Sequence, residues 1–353
     1  MNEIVVNTHM HTTYSDGRAC HRDIAYTAIK AGLDAIIVTD HNVLVSGLEG
    51  YYGNDDERVL VLVGEEIHDQ GLYPQKNHLL VFGVDQELAP LAWDRQRLLD
   101  NIRLANGYAY IAHPDDPSAP LFGEDAISWD DWDVQGYTGI ELWNAMSEFK
   151  SLLTSKFRAI YFALNPKQVA RGPFLQTLRR WDELLISGQR VVAIGGSDAH
   201  ALKGKLGPIE RVLFPYLFHF QGINNHLLLE EELQGDLTHD RHMILEALAM
   251  GSGFIGYDLP RSTRGFRFSA HGLDGKVIMG GELALKTGVT LQIRLPIATE
   301  CRLIKDGEQA QVWNGRETCT YITTQPGVFR VEAYINFMGR SRGWIFSNPI
   351  FIV

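Results

Sequence analysis

Cysteine is scarce in this sequence, and the positions of the few cysteines exclude a fold held together by disulfides. The 353 residues contain Cys20, Cys301 and Cys319, an odd number at unrelated spacings and without a paired CxxC motif. The simplest interpretation is a protein of a reducing compartment.

Long apolar runs and an excess of basic charge are missing as well. No stretch of about 18 apolar residues occurs, and the chain shows no basic segment followed by an apolar one, so we predict a cytoplasmic protein without a membrane span. The formal net charge of -11 disfavours general binding of nucleic acid, which requires a basic face. We therefore expect a small anionic substrate as the partner.

Short apolar runs alternate with segments of helical period up to about Gly204. This alternation predicts parallel strands joined by crossover helices, as in a (β/α) barrel. The predicted helices cover His21 to Leu33, Arg95 to Asn106, a long segment from Ser147 to the residue before Pro166, Pro173 to Ile186, and His239 to Gly251.

Residues that commonly bind metals follow nearly every predicted strand. The first example is HMHTTYSDG, His9 to Gly17, directly behind the apolar run Ile4 to Val6. Because side chains at i and i+2 of a strand share a face, His9 and His11 project together, as do Asp198 and His200. The full set of candidate ligands is His9, His11, Asp16, His41, Glu66, His78, His113, Asp198 and His200. In a barrel, the carboxyl ends of the strands form the active site, so this set predicts a metal centre there.

His78 departs from this pattern because it precedes its apolar run. We predict an antiparallel hairpin of residues Leu60 to Ile67 and His78 to Val84, which brings His78 to face Glu66. Glu65 is a competitor for Glu66, and His68 is a reserve ligand. Asp40 is interpreted either as a residue that orients a ligand histidine or as a turn residue.

The motifs HMHTTYSDG, TDHN, GEE and SDAH, together with His78 and His113, resemble the PHP (polymerase and histidinol phosphatase) superfamily of metallohydrolases. The resemblance covers residues 1 to about 255. The segment GPIERVLFPYLFHF and the terminal WIFSNPIFIV resemble its CehA/McbA-type branch, which carries a C-terminal β domain. The family resemblance implies a distorted (β/α)7 PHP barrel that holds two or three divalent ions.

The resemblance also implies how the ligands are shared. One ion takes His9, His11, Glu66 and Asp198, a second takes Glu66 as a bridge with His78 and His113, and the third takes Asp16, His41 and His200. Mixed imidazole and carboxylate ligands suit Zn²⁺, Mn²⁺ or Fe²⁺, whereas a Ca²⁺ site would not use six histidines.

The sequence pattern changes after residue 260 to short segments of alternating apolar and polar residues, typical of strands: RGFRF, VTLQIRL, CRLI, CTYIT, VFRVEAYI and WIFSNPIFIV. Six or seven such strands predict a small β-sandwich. We therefore expect a metallohydrolase barrel over residues 1–260 and a β-sandwich domain over residues 261–353, with self-association left open.

The expected function is that of a metal-dependent phosphoesterase, in which a metal-bridging hydroxide attacks a small phosphate ester. Glu66, Asp198 and His200 are the predicted catalytic residues, and Glu141, Asn144 and Arg211 are candidate substrate contacts. Hydrolysis of a carbamate, ester or amide by the same centre is the main alternative. A proofreading exonuclease is disfavoured by the acidic balance, and a non-catalytic binding protein stabilised by metal is the lowest alternative.

Overall fold

The computed structural model describes residues 1–206 and 209–353, and the side chains of residues 205–211 lie outside this description. The strands of the first part of the chain are β1 (Asn2–Met10), β2 (Ala35–Val38), β3 (Gly50–Gly53), β4 (Arg58–Ile67), β5 (Leu79–Phe82), β6 (Tyr108–Ile111), β7 (Gly139–Asn144), β8 (Val192–Ala199), β9 (Lys203–Leu206), β10 (Ile209–Val212), β11 (Ile223–Leu229) and β12 (Gly253–Tyr257). The α-helices are α1 (His21–Ala31), α2 (Arg95–Leu104), α3 (Ala145–Ser151), α4 (Lys156–Leu164), α5 (Leu175–Ile186), α6 (Tyr216–Phe220) and α7 (Leu237–Met250). Short 3₁₀ helices cover Ala89–Leu91, Pro120–Phe122 and Pro166–Gln168.

Seven of these strands close into a barrel in the order β1, β2, β4, β5, β6, β7, β8 and back to β1. Only the pairs on either side of β5 are antiparallel, and the other pairs are parallel. The strands are almost entirely buried, as expected for a parallel barrel with apolar residues on both faces. A mixed α/β fold with a closed barrel is therefore present.

The regular alternation of strand and helix is only partly realised. No α-helix lies between β2 and β4, where β3 pairs antiparallel with β4, or between β6 and β7. The predicted hairpin is confirmed, because Glu66 on β4 lies opposite Leu80 on β5. Antiparallel neighbours need only a short turn, so this part of the barrel needs no crossover helix.

Three helix ends illustrate the expected capping rules. α1 ends at Gly32 and α7 at Gly251, both in the left-handed conformation, and Asp236 caps the start of α7. The prediction of one long helix from Ser147 is wrong, since the chain forms α3 and α4 there. Ser155 caps the start of α4, because its side chain accepts a hydrogen bond from the Arg158 amide.

The C-terminal part consists of strands β13 (Arg267–Gly272), β14 (Gly275–Ile278), β15 (Glu282–Leu283), β16 (Val289–Lys305), β17 (Glu308–Thr323), β18 (Gly327–Phe337), β19 (Arg340–Ser347) and β20 (Ile350–Ile352). The prediction of separate strands for VTLQIRL and CRLI is wrong, because both belong to β16. β16 pairs with β13 through its first half and with β18 through its second half, and its register against β17 shifts between Arg294 and Thr299. β16 thus contributes residues from both of its halves to the apolar core of the C-terminal part.

The C-terminal strands continue the sheet of the barrel. β11 pairs with β1, β12 with β11, and β19 with β12. A buried ion pair adds a second link: the Arg330 guanidinium on β18 donates two hydrogen bonds of 2.7 Å to Asp182 on α5. The barrel and the C-terminal strands therefore share one packed interface.

Across the described ranges, no helix has the length and apolar character needed to cross a lipid bilayer.

Candidate metal centre

The structure brings all nine candidate ligands together at one rim of the barrel. They form four overlapping groups, in each of which the ligand atoms lie within 4.8 Å of one another: His11, Asp16, His41 and His200; His9, His113 and Asp198; His9, His11 and Glu66; and His41, Glu66 and His78. The strand ends position them because parallel neighbours present their carboxyl ends at the same rim.

Glu66 lies at the centre of the cluster. Nitrogen atoms of five imidazoles approach its carboxylate: His78 at 2.8 Å, His113 at 2.9 Å, His9 and His41 at 3.1 Å, and His11 at 3.2 Å. A carboxylate can accept at most about four hydrogen bonds. Five converging nitrogens therefore exceed what hydrogen bonding to this group explains, and a cluster of this composition could hold metal ions.

Two aspartates of the cluster also contact its histidines. Asp198 Oδ1 lies 3.3 to 3.4 Å from ring nitrogens of His9, His11 and His200. Asp16, which is 58% exposed, places Oδ1 3.2 Å from His200 Nε2 and 3.8 Å from His41 Nε2. Asp16 therefore contributes the most exposed ligand position, next to solvent.

The observed groups differ in detail from those that the family resemblance implies. Asp16, His41 and His200 do lie together, but His11 joins them. His78 groups with Glu66 and His41, and His113 groups with His9 and Asp198, while His78 Nδ1 and His113 Nε2 lie 2.8 and 2.9 Å from the same Glu66 oxygen, Oε1. Because the groups share members, the division of these side chains among separate ions stays a prediction.

The backbone is strained at three of these residues. His9, His113 and Asp198 have positive φ angles of 70°, 27° and 50°. Non-glycine residues rarely adopt such angles, which cost of order 1–3 kcal/mol and concentrate at functional sites. The surrounding barrel holds these side chains in orientations that a relaxed strand end would not give.

The carboxylates and imidazoles shift each other's pKa strongly. Burial opposes ionisation of Glu66, but His9, His41 and His78 hold its pKa well below the usual range. Burial alone would lower the pKa of His11, yet Asp198 and Glu66 raise it to about 9. Burial, with His11 and His78 nearby, lowers the pKa of His41 to about 3. Burial and the neighbouring charges therefore oppose each other at these groups and move their pKa values in different directions.

The donor set fits divalent ions. Both ring nitrogens of His11, Nδ1 of His41 and Nδ1 of His113 are buried and make no hydrogen bond of good geometry among the described residues, although His11 Nε2 and His41 Nδ1 lie 3.2 and 3.1 Å from Glu66. Such atoms are rare in folded proteins, and metal coordination is one way to satisfy them. Because nitrogen and carboxylate donors are mixed, Zn²⁺, Mn²⁺ or Fe²⁺ fits better than Ca²⁺.

Glu141 and Asn144, the candidate substrate contacts on β7, are engaged inside the protein. Glu141 Oε1 binds His9 Nδ1 at 2.8 Å, and Oε2 accepts from the His113 amide and from Asn144 Nδ2. Gly196 is required beside them, because a Cβ there would lie 1.6 Å from Glu141 Oε1. The contact with His9 turns its other nitrogen, Nε2, towards Glu66 and Asp198.

Three further positions are placed as follows. Asp40 accepts hydrogen bonds from the Thr12 amide, the Thr12 hydroxyl and Ser15, which corresponds to the turn interpretation. The His68 ring stacks on His78 at 4.4 Å between centroids, outside the four ligand groups. The side chain of Arg211 lies outside the described residues.

A pocket of about 290 Å³ opens over the cluster. Besides the ligands, it is lined by Asp116 and Lys150, which the sequence analysis did not select. Lys150 Nζ donates to Asp116 Oδ1 at 2.5 Å and to the Asp125 carbonyl at 2.6 Å. Asp116 follows His113 closely in the sequence HPDD, which could have suggested it, whereas nothing in the sequence around Lys150 indicates its role.

Comparison with known proteins agrees with part of this picture. The profile of the PHP domain matches residues 7–111. This segment contains His9, His11, Asp16, His41, Glu66 and His78, while the remaining candidate ligands lie beyond it. No curated protein matches the chain.

Three similar solved structures have low identity. A two-domain protein from Bacteroides vulgatus containing a predicted PHP-like metal-dependent phosphoesterase is 15% identical, with a TM-score of 0.43. The alignment covers 99% of this chain and 95% of that protein. A candidate metal-dependent phosphoesterase from Bifidobacterium adolescentis is 15% identical, with a TM-score of 0.31. The alignment covers 57% of this chain and 91% of that protein. An amidohydrolase from Chromobacterium violaceum with bound sulfate and no metal is 16% identical, with a TM-score of 0.30. The alignment covers 61% of this chain and 96% of that protein.

Proposed function

We propose that this protein is a metal-dependent phosphoesterase that cleaves a small phosphate ester at the nine-residue cluster. The observation that carries the proposal is the convergence of five imidazoles on the Glu66 carboxylate beneath a pocket open to solvent. The PHP-domain match over residues 7–111 supports the same chemistry. A CehA/McbA-type branch and a cytoplasmic location are further parts of the proposal.

Divalent ions held by this cluster would lower the pKa of water and neutralise charge on the phosphate oxygens. Glu66 and Asp198 supply the negative charge that keeps such ions in place, and Glu141 orients His9 through Nδ1. Lys150, restrained by Asp116, offers an ammonium group in the pocket that can stabilise an anionic oxygen of the substrate. His200 lies between Asp16 and Asp198, where its Nε2 can bind an ion or exchange a proton.

The main alternative, hydrolysis of a carbamate, ester or amide, requires similar donors, because attack on carbon also builds negative charge on oxygen. The two activities are therefore separated by substrate and not by ligand set. The decisive experiment compares p-nitrophenyl phosphate with p-nitrophenyl acetate, using metal-stripped protein and protein reconstituted with Mn²⁺.

We expect turnover of the phosphate that requires metal and falls by roughly 100-fold or more in Asp198→Ala. Asp55→Ala, which changes an exposed loop aspartate, is the matched control and keeps full activity. Turnover of the acetate alone would replace the phosphoesterase with an ester or amide hydrolase. No turnover of either compound by protein that still binds metal would leave the non-catalytic alternative.

A further inference from the structure

Helix α4 carries an apolar face that no residue of the described part of the chain covers. Phe162 is the one buried residue of this helix. Large apolar side chains spaced i, i+3, i+4 and i+7 are exposed by 86%, 39%, 50% and 58%, in the order Phe157, Ile160, Tyr161 and Leu164. We call these four residues the α4 stripe. Their spacing places them on one side of the helix, in the pattern that normally packs against a protein interior.

The α4 stripe differs from the apolar residues that any protein surface contains. Isolated helices shorter than about 12–15 residues are marginal in water, and most helices in proteins are stabilised by packing of an apolar face. In α4 this face points to solvent. Leu104, at the end of α2, is 78% exposed but stands alone, since the residues three, four and seven positions before it are polar. A contiguous exposed stripe, unlike a single leucine, marks a surface for association.

The α4 stripe is symmetric about its own midpoint, between residues 160 and 161. If two copies of α4 pack antiparallel across a two-fold axis at this point, Phe157 lies opposite Leu164 of the other copy. Ile160 then lies opposite Tyr161. Each copy thus offers the other a surface of the same length and the same apolar character, as a two-fold contact between identical chains requires.

The charges of α4 favour the same arrangement. Its first turn contains Lys156 and Arg158 and no acidic residue. Positive charge is unfavourable at this end, because the helix macrodipole is positive at its N-terminus. In the antiparallel pair both residues approach the C-terminal end of the other α4, where the dipole is negative. The positions opposite them are Asn165 and Ala163, which carry no charge, so no like charges face each other.

The area of the stripe is adequate for a specific contact. A fully exposed large side chain presents on the order of 200 Å², so the exposed fractions give roughly 450 Å² per copy. Two copies would bury about 900 Å² of mainly apolar surface before a polar rim is counted, and specific interfaces bury about 1,200–2,000 Å² in total. The stripe can therefore supply the apolar centre of an interface of standard size.

We propose that α4 is the contact surface of a homodimer, in which two copies pack their α4 stripes antiparallel across a two-fold axis. This surface lies close in the chain to the candidate metal centre, because Leu153, which lines the pocket over the cluster, shortly precedes α4. The proposal is independent of the reaction, since it involves none of the candidate ligands.

The first experiment measures the molar mass by sedimentation over protein concentrations of about 1 to 100 μM, because association depends on concentration. We expect the wild-type protein to approach twice the chain mass of 39.7 kDa. Ile160→Glu brings two like charges together near the axis and is expected to raise the dissociation constant of the dimer by at least about 100-fold. Leu104→Glu adds the same charge at an isolated exposed leucine, so this matched control dimerises like the wild type.

The second experiment tests the two-fold geometry by charge complementation. Ile160→Lys alone is expected to be monomeric, whereas its equimolar mixture with Ile160→Glu forms heterodimers, because opposite charges then meet near the axis. A loss of folding would not be rescued by mixing. A wild-type protein that stays monomeric at about 100 μM would overturn the proposal, as would a dimer that Ile160→Glu leaves intact or a mixture that stays monomeric. If the monomeric wild type, but not Ile160→Glu, binds vesicles of phosphatidylcholine and phosphatidylglycerol, a lipid surface replaces the second copy as the partner of α4.

Discussion

Glu141→Gln tests how the protein orients its candidate metal ligands. The Glu141 carboxylate accepts from three donors: His9 Nδ1 at 2.8 Å, the His113 amide at 2.7 Å and Asn144 Nδ2 at 2.9 Å. A glutamine keeps the size of the side chain but replaces one acceptor oxygen by an amide donor. No orientation of the glutamine can satisfy all three groups.

The two orientations have different costs. If the glutamine oxygen faces the His113 amide and Asn144, His9 loses its acceptor and must place its proton on Nε2, the nitrogen that faces Glu66 and Asp198. If the oxygen faces His9, two buried donors lose their partner, at about 1–3 kcal/mol each. Loss of a group that orients a metal ligand typically lowers metal affinity by about 10- to 100-fold, or about 1.4–2.7 kcal/mol.

The assay is competitive titration of metal-stripped protein with Zn²⁺ or Mn²⁺ in the presence of a chelator. Glu65→Gln is the matched control, because Glu65 is the neighbour of Glu66 and equally buried. Burial and the nearby Glu87 raise the pKa of Glu65 to about 9, so a neutral glutamine resembles its state near pH 7. Metal affinity in Glu141→Gln equal to that of the control would refute the orienting role.

Three further outcomes follow from the same structure. Gly196→Ala is expected to lower metal affinity as Glu141→Gln does, measured by the same titration, because its Cβ would collide with Glu141 Oε1; wild-type affinity would contradict the close approach. Arg330→Ala is expected to cost about 3–5 kcal/mol in urea unfolding, since it leaves Asp182 charged and buried, and a smaller loss in the double variant with Asp182→Ala would support the coupling. His226 holds the pKa of Asp258 at about 2 against the effect of burial, so the pair stabilises the fold above pH 3.8 and this stability is lost as the pH falls towards 2. Asp258→Asn should cost about 2 kcal/mol at pH 6 and progressively less below pH 4, and a cost independent of pH in urea unfolding would argue against this linkage.

Much of the candidate site could be predicted from the sequence, because the side chains in question lie at the ends of strands. Alternation along a strand places His9 and His11 on one face, and the order of apolar runs and polar ends is local information. The hairpin that brings His78 to Glu66 was predictable for the same reason: two apolar runs flank a turn. The break between α3 and α4 was missed because the apolar period continues across it, while the cap at Ser155 competes with helix propagation.

The sequence by itself determined the types of candidate ligand, their order along the chain and the strands that carry them. Only the tertiary structure decided that five imidazoles share the Glu66 carboxylate, that both oxygens of Glu141 bind protein groups, and that Lys150 reaches the pocket. It also decided that Arg342 of the β domain donates to the Ala170 carbonyl. The physical reason is that such contacts join residues far apart in the chain, and their geometry depends on barrel closure and packing, which local periodicity does not encode.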